Sequence, residues 1–291
     1  MVAGIKTKYM TKVCIVIPTL TIGGAERVVA ELLNKWNSYL NVELHLILFT
    51  DEKILYAIPN SINIHRLGFK PNQKNFFKKI LMYILMSFRL RRIANVVEPK
   101  FILSFMNKYN IFTILSLIGL KKKIIVSERD SPSEKFSKNF IFLRNIAYSY
   151  SSGLIAQTQS YKSYIQNHIS KLRVEVIYNP LRNMQHDGMD RENRILFLGR
   201  LEPKKGAKYL IQAAKIIKND LIKNNWTISI VGDGSQRNFL EALSSEYSLS
   251  KVIKFEGMSH DSDRWFHSSK VFIFPSLMEG FPNSLAEAMI S

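Results

Sequence analysis

Short apolar runs alternate with segments of helical periodicity along the whole chain. Seven of these runs predict β-strands in the first part, at residues 13–17, 44–49, 62–67, 101–104, 124–127, 154–156 and 174–178. Four more predict strands at residues 195–198, 227–231, 252–255 and 271–274. Because strands that alternate with helices form parallel sheets with right-handed crossovers, the pattern predicts an α/β fold.

A polar stretch at residues 181–193 separates the two series of strands. Asn179 and Pro180 end a predicted strand, and residues 183–193 show no apolar period. We therefore predict two Rossmann-like domains with parallel sheets, at residues 1–182 and 183–291. No short-period repeat is visible, and the two halves are both of the doubly wound type.

One predicted helix, at residues 74–97, is rich in both apolar and basic side chains. Its predicted apolar face consists of Phe76, Phe77, Ile80, Leu81, Ile84, Leu85, Phe88 and Ile93. Its cations are Lys78, Lys79, Arg89, Arg91 and Arg92. The segment is either an ordinary helix that covers the sheet and keeps a solvated basic face, or an interfacial helix on a membrane.

Charge is distributed unevenly along the 291 residues, of which 46% are hydrophobic. Residues 1–186 contain 27 Lys and Arg against 10 Asp and Glu, whereas residues 187–291 contain 14 against 13. Such asymmetry indicates an anionic partner for the first half, either nucleic acid or an anionic membrane leaflet. No nucleic-acid-binding motif is recognisable, so the membrane surface is the partner we predict and nucleic acid is not.

The single cysteine and the apolar runs indicate a compartment. Cys14 lies in the first predicted strand, where it can form no internal disulfide and is expected to be a small buried hydrophobe. The apolar run at 13–17 is too short for a signal peptide, and the run at 111–120 is shorter than the ~18 residues of a membrane span. We expect a cytoplasmic protein, soluble or peripheral on the inner face of the cell membrane.

Two glutamates, Glu279 and Glu287, lie eight positions apart near the end of the sequence. The surrounding sequence predicts a strand end, a tight turn and the first turns of a helix. Free backbone N–H groups at such a turn can bind a phosphate, and the carboxylates can accept hydrogen bonds from hydroxyl groups. This combination suits a sugar nucleotide, although acidic residues also occur at helix starts for electrostatic reasons alone.

Three glycine-containing motifs accompany the glutamates. They are Gly23-Gly24-Ala25-Glu26, Gly199-Arg200-Leu201-Glu202-Pro203-Lys204-Lys205-Gly206 and Val231-Gly232-Asp233-Gly234. Arg200 is predicted to end a strand and Lys205 to open the next helix, at the sheet edge where open α/β folds bind ligands. Cations there would stabilise a diphosphate leaving group, although Lys204 and Lys205 could instead be a solvated pair.

These motifs, in this order, resemble those of family 4 retaining glycosyltransferases, also called glycosyl transferases group 1, over nearly the whole chain. The resemblance implies a GT-B fold of two Rossmann-like domains with a nucleotide diphosphate sugar between them and no further cofactor. It assigns Arg200 and Lys205 to the donor diphosphate and Glu279 to the transferred sugar, as the catalytic set, and Glu287 to the ribose.

The remaining donor-binding residues follow from position and resemblance together. Gly23 and Gly24 would leave room near a helix N-terminus. Gly232, Asp233 and Gly234 would either approach the donor or simply form a tight turn. Met258 would lie near the base, and backbone N–H groups of Gly280, Phe281 and Asn283 would bind phosphate or sugar.

On the acceptor side, Glu128, Arg129 and Asp130 follow the strand at 124–127 and are expected at the edge of the cleft. The motif Ser127-Glu128-Arg129-Asp130-Ser131-Pro132 is similar to that of family members that extend glycans on polyprenyl diphosphate carriers. Many members have a histidine nearby, and this chain does not. The three charges would orient the acceptor, or form only a local salt-bridged turn.

Asp261-Ser262-Asp263 matches the Asp-x-Asp metal motif of other glycosyltransferases, but its place at a predicted helix start favours an N-cap. The histidines and the cysteine show no ligand spacing, so no metal is predicted.

The sequence ends at Ser291, where family members continue with another strand–helix unit and a terminal helix. We therefore expect an incomplete C-terminal domain and a truncated product with little activity. The predicted function is retaining transfer of a hexose or N-acetylhexosamine to a lipid-linked glycan in surface polysaccharide biosynthesis. The alternative is an inactive relic that binds only an anionic membrane surface or polyanion.

Overall fold

A computed structural model describes residues 10–21, 23–39, 41–70, 73–132, 134–181, 188, 190–259 and 261–291. The chain divides into two compact units, Met1–Pro180 and Leu181–Ser291. The predicted α/β fold with parallel sheets is confirmed. Most of the predicted linker at 181–193 lies outside the described residues, and its last two residues, Glu192 and Asn193, already belong to a strand.

In the described part of the first unit, a parallel sheet has the strand order β3-β2-β1-β4-β5-β6-β7. The first six strands of this order match the 3-2-1-4-5-6 order of a doubly wound sheet. Its strands are β1 (Thr11–Ile17), β2 (Val42–Leu48), β3 (Asn63–Arg66), β4 (Phe101–Phe105), β5 (Ile124–Ser127), β6 (Gly153–Ala156) and β7 (Val174–Val176). Its helices are α1 (Gly24–Asn37), α2 (Phe76–Val97), α3 (Asn107–Leu117), α4 (Lys138–Ser149) and α5 (Gln159–His168).

The second unit has a parallel sheet of order β10-β9-β8-β11 among its described residues. The strands are β8 (Glu192–Leu198), β9 (Thr227–Val231), β10 (Ile253–Gly257) and β11 (Ser269–Phe272). A 3₁₀ turn (Pro203–Lys205) precedes the helices α6 (Ala207–Ile216), α7 (Lys218–Lys223), α8 (Arg237–Glu246), α9 (Ser262–Ser268) and α10 (Asn283–Ile290). Each predicted strand overlaps an observed one, with ends that differ by at most about three residues.

The central strand β1 explains why the apolar runs are continuous rather than alternating. Cys14 and Val16 pack into one core of the first unit, whereas Ile15 and Ile17 pack into the core on the opposite face. A parallel strand covered on both sides must be apolar at every position. The burial expected for Cys14 is confirmed, and it raises the pKa of the thiol to about 12.

The apolar face predicted for helix α2 is not the side that packs on the sheet. Most of its members are exposed, as Phe77 (80%) and Phe88 (66%) illustrate, and the buried residues are instead Met86, Leu90 and Ala94, with Val97 at the helix end. Apolar residues occur on several sides of this helix, so periodicity alone could not select the side that meets the sheet. Within the described ranges, no helix combines the length and apolarity needed to span a bilayer.

Candidate functional site

Two predicted catalytic residues of the second unit, Lys205 and Glu279, form an ion pair. The Lys205 Nζ atom lies 2.5 Å from Glu279 Oε1, and only 19% and 21% of the two side chains are exposed. The hydroxyl of Ser276 donates a second hydrogen bond to the same carboxylate oxygen, at 2.8 Å. The structure therefore brings together two groups that are 74 residues apart in the sequence.

Backbone contacts hold this pair in place. The loop at 273–282 is tied to the 3₁₀ turn because the Leu277 N–H donates to the Lys204 carbonyl at 2.9 Å. Gly206, with a φ of 73°, is the C-cap that follows the turn, and a Cβ atom at this position would lie 2.1 Å from the Pro275 carbonyl oxygen. Only glycine permits both this left-handed conformation and this close approach.

The positions of the two cations differ from the predicted ones. Lys205 does not open a helix, since it ends the 3₁₀ turn and α6 begins at Ala207. Arg200 does not end a strand either, because β8 stops at Leu198. The Arg200 side chain is exposed. It therefore lies in the loop that leads to the 3₁₀ turn and is accessible to an anion.

The glycines after β9 are explained by packing of one backbone on another. A Cβ atom at Gly232 would lie 2.0 Å from the Gly199 carbonyl oxygen, and one at Gly234 would lie 2.6 Å from that of Leu201. The Leu201 N–H also donates to the Asp233 carbonyl at 2.9 Å. These contacts support the tight-turn interpretation. The Asp233 carboxylate lies 3.2 Å from the guanidinium of Arg237, the first residue of α8.

Glu287 lies on α10 and is almost fully buried, with 1% of the residue exposed. The tight turn predicted before this helix is wrong, because a loop at 273–282 joins β11 to α10. Gly280 and Phe281 lie in that loop, and Asn283 is the first residue of α10. Met258, which follows β10, is 62% exposed.

Gly23 and Gly24 lie at the start of α1 in the first unit. Gly23 is the N-cap and Gly24 the first helical residue. The hydroxyl of Tyr56 donates to the Gly23 carbonyl at 3.0 Å, and a Cβ atom at Gly23 would lie 2.2 Å from Glu26 Oε2. The small residue thus leaves space that the Glu26 side chain occupies.

Glu128 was predicted at the edge of a cleft, and this prediction is wrong. The residue is buried, with 1% of it exposed. Its carboxyl group forms hydrogen bonds with the Tyr148 hydroxyl and with Asn110 Nδ2. Burial, followed by the nearby charge of Asp130, raises the pKa of this carboxyl group to about 8. The raised pKa favours the neutral form of Glu128, and its burial keeps the carboxyl group from direct contact with an acceptor in this conformation.

The two other charges of the motif differ from Glu128 and from each other. Arg129 stacks on the Phe105 ring, 4.9 Å from its centroid, and donates a hydrogen bond to Asn179. Burial lowers the pKa of its guanidinium to about 10. Asp130 is only partly buried, and its Oδ2 atom accepts a hydrogen bond from Asn107 Nδ2 at 2.7 Å.

Asn107, Asn110 and Tyr148 were missed as candidate residues. Asn107 is the first residue of α3, directly after β4, and follows Met106, whose φ of 73° is unusual for a residue other than glycine. Polar residues just beyond a strand end could have indicated the two asparagines. Tyr148 carried no such signal, because it lies within α4.

The N-cap predicted at the Asp-x-Asp motif is confirmed. Asp261 precedes α9, and its Oδ1 atom accepts a hydrogen bond from the Arg264 N–H at 3.1 Å.

The geometry and topology can be compared with known proteins. The fold is similar to that of sucrose-phosphate synthase from Thermosynechococcus elongatus, with a TM-score of 0.77 and 13% identity over 96% of this chain and 79% of that one. It is also similar to Anabaena HepE in complex with UDP and glucose, with a TM-score of 0.74 and 18% identity over 96% and 78%. The likeness gives the fold, which consists of two α/β units of the GT-B type.

Sequence comparison then gives the family. Residues 22–182 match "Glycosyltransferase Family 4", and residues 183–291 match "Glycosyl transferases group 1". The chain therefore belongs to glycosyltransferase family 4. A relative from Campylobacter jejuni is 29% identical over 96% of this chain and 77% of its own length. Its name is GalNAc-alpha-(1->4)-GalNAc-alpha-(1->3)-diNAcBac-PP-undecaprenol alpha-1,4-N-acetyl-D-galactosaminyltransferase.

Proposed function

We propose that this glycosyltransferase moves a hexose or N-acetylhexosamine from a nucleotide diphosphate sugar to a lipid-linked glycan, with retention of configuration. The observation that carries the proposal is the Lys205–Glu279 pair in the loops of the second unit. Its cation can bind a diphosphate, and its carboxylate can accept hydrogen bonds from a sugar. Family membership and the C. jejuni relative, whose name specifies an undecaprenol-linked acceptor, support this substrate class.

The chemical role of the pair follows from its charge. Departure of a nucleoside diphosphate creates negative charge, and a cation already in place lowers the barrier without reorganisation. When the donor binds, Lys205 exchanges part of its interaction with Glu279 for the diphosphate, and Glu279 becomes available to the sugar hydroxyls. Arg200 is exposed and lies close to Lys205 in the sequence. It supplies a second cation to the same leaving group.

We further propose that these cations, rather than a metal at Asp261 and Asp263, balance the diphosphate charge. Asp261 is already used as the N-cap of α9. Transfer rates that are equal with and without EDTA would support this assignment. A rate that falls with EDTA and returns with a divalent cation would overturn it.

A panel of nucleotide sugars, each with an undecaprenyl diphosphate-linked glycan as acceptor, tests the reaction itself. We expect one donor to give a glycosylated lipid product whose new linkage keeps the anomeric configuration, as read by NMR. If no donor of the panel is hydrolysed or transferred at saturating enzyme, the proposal is contradicted and the inactive binder is favoured.

Glu287 is proposed to hold the donor ribose, which requires that its carboxylate, 1% exposed in this conformation, becomes accessible when the donor binds. Replacement of a charged hydrogen-bond acceptor should weaken nucleotide binding by ~1.5–3 kcal/mol. Calorimetry with UDP and GDP on Glu287→Gln, which conserves the volume of this buried side chain, checks the assignment. Unchanged affinity for both nucleotides would remove Glu287 from the donor site.

Docking on an anionic membrane surface is proposed for helix α2. Its exposed apolar residues include Phe76, Phe77 and Phe88, and exposed Lys78 and Lys79 lie beside them. Apolar area and cations together favour a bilayer surface with anionic lipid. Two of the five predicted cations already serve the fold, because Arg89 donates to the Leu67 carbonyl at 2.7 Å and Arg91 to that of Ser116 at 2.8 Å.

Vesicle sedimentation checks the docking. Neutralising Lys78 and Lys79 together should weaken binding to phosphatidylglycerol vesicles by ~2 kcal/mol, at ~1 kcal/mol per cation. The matched control is Lys251→Ala with Lys254→Ala, two exposed cations of the second unit. Equal sedimentation of the parent with phosphatidylcholine and phosphatidylglycerol vesicles would refute electrostatic docking.

A further inference from the structure

A chain of hydrogen bonds runs from the buried acid of the first unit to Asp130. The Tyr148 hydroxyl contacts the Glu128 carboxyl group, Tyr148 and Asn107 Oδ1 are 3.2 Å apart, and Asn107 Nδ2 lies 2.7 Å from Asp130 Oδ2. The four residues come from α4, the loop after β5 and the start of α3. The chain thus links the interior to a half-buried carboxylate at the carboxyl end of the sheet.

The direction of these bonds depends on where the proton of Tyr148 points, because this hydroxyl faces both Glu128 Oε1 and Asn107 Oδ1. Asn110 Nδ2 lies 3.2 Å from the Tyr148 oxygen and also contacts the Ser127 carbonyl and Glu128 Oε1, and a neutral Glu128 can itself donate to Tyr148. The single tyrosine proton is then available for Asn107 Oδ1. Because the amide oxygen of Asn107 faces Tyr148, its NH₂ group must face Asp130.

If Glu128 is ionised, the direction changes. The Tyr148 proton then turns to the carboxylate, and Asn107 Oδ1 loses its donor. Charged and titratable groups face Glu128 from several elements: Arg129 and Asp130 on its own loop, Arg144 and Tyr148 on α4, and Tyr161 on α5. Among them Arg144 and Tyr161 favour the ionised form, whereas burial, which is the largest effect, and Asp130 favour the neutral one.

We propose that Asn107 is a positioning residue that holds the Asp130 carboxylate toward a hydroxyl of the glycan acceptor, and that Tyr148 and Glu128 orient its amide. This inference rests on the proposed function. It also divides the roles within the acceptor motif: Asp130 meets the acceptor, Glu128 acts from the interior, and Arg129 anchors the loop through Phe105 and Asn179.

The first test needs no substrate. A double-mutant cycle of Asn107→Ala and Asp130→Ala, measured by urea unfolding, reports the link between the two side chains. We expect the two changes to be non-additive by about tenfold or more in the unfolding equilibrium constant, as for one hydrogen bond to a charged group. Additive effects would overturn the inference.

The second test uses transfer rates. Asn107→Ala and Tyr148→Phe should each raise the acceptor KM about tenfold and leave donor affinity unchanged, and Asn107→Ala should have no further effect in an Asp130→Ala background. The matched control is Ser104→Ala, which removes the buried 3.2 Å hydrogen bond to Thr113 between the same strand and helix. An equal rise in acceptor KM for the control would reduce Asn107 to a structural role and overturn the proposal.

The third arm varies pH. Above about pH 8 the parent's acceptor KM should rise as Glu128 ionises. Glu128→Gln should not show this rise, because its amide donates to Tyr148 at every pH. A parallel rise in both proteins would overturn the role of Glu128. If the unfolding cycle shows coupling and the parent transfers no sugar, the proposed function and the acceptor role fail together.

Discussion

The first unit buries its key carboxyl group among mostly neutral partners, whereas the second unit gives its key carboxylate a cation. Glu128 is almost completely inaccessible, and its hydrogen-bond partners include Tyr148 and Asn110. Glu279 is about a fifth exposed and pairs with Lys205. The same type of side chain therefore meets polar uncharged hydrogen-bond partners in one unit and a lysine in the other.

The difference shows that the environment of a carboxyl group decides its chemical use. Burial disfavours the charged form, whereas a neighbouring ammonium group favours it. A neutral acid is suited to orienting other groups, as we infer for Glu128. An anion paired with a cation is suited to exchanging partners when a charged ligand arrives, as we propose for Glu279.

The largest expected effect is the pH dependence of stability that Glu128 causes. Its pKa is raised in the folded state, from 4.5 to about 8, so its contribution to stability is fully present below pH 4.5 and is lost as pH rises through 8. Across this window the loss approaches about 1.4 kcal/mol per pH unit. Denaturant unfolding of the parent and of Glu128→Gln, compared between pH 5 and pH 9, measures it.

The matched control for that comparison is Glu175→Gln, an exposed glutamate of the same unit with a side chain 55% exposed. The pH dependence of its free energy of unfolding should parallel that of the parent. If the free energy of unfolding of Glu128→Gln also changes with pH as that of the parent does, Glu128 is ionised in the folded protein. The contrast between the two units then disappears.

The next effect concerns the cation of the second unit. Lys205→Ala should lower kcat by ~10²-fold or more, because the leaving diphosphate loses a preorganised positive charge. Steady-state transfer rates measure this loss. Lys208→Ala, an exposed lysine on the adjacent helix, is the control and should retain the parent rate. A Lys205 variant within a few-fold of the parent would remove Lys205 from the leaving-group site.

The smallest effect is the contribution of the Lys205–Glu279 pair to stability. A double-mutant cycle of Lys205→Ala and Glu279→Gln on urea unfolding should give a coupling of about 1 kcal/mol or less, because the pair is partly solvated. A coupling of several kcal/mol would mean that the pair is mainly structural, and that Lys205 cannot easily leave Glu279 for a ligand.

Helix α2 and the acceptor motif show where sequence reasoning failed. The periodicity of α2 predicted a helix correctly but did not identify the side that packs on the sheet, since Phe77 and Phe88 are exposed and Leu90 and Ala94 are buried. The position of Glu128 after a strand suggested exposure. Tyr148 and Asn110, whose positions are distant in sequence, provide hydrogen bonds that make its burial possible.

The sequence by itself determined the alternation of strands and helices, the two parallel sheets and the N-cap at Asp261, because these depend on neighbouring residues and on period. The glycine motifs also followed from local rules, although the contact of Gly206 with Pro275 that requires glycine is tertiary. Only the tertiary structure decided that Lys205 pairs with Glu279 and that Glu128 is buried beside Tyr148. Charge state and accessibility depend on groups brought together from distant parts of the chain, and no local pattern encodes that proximity.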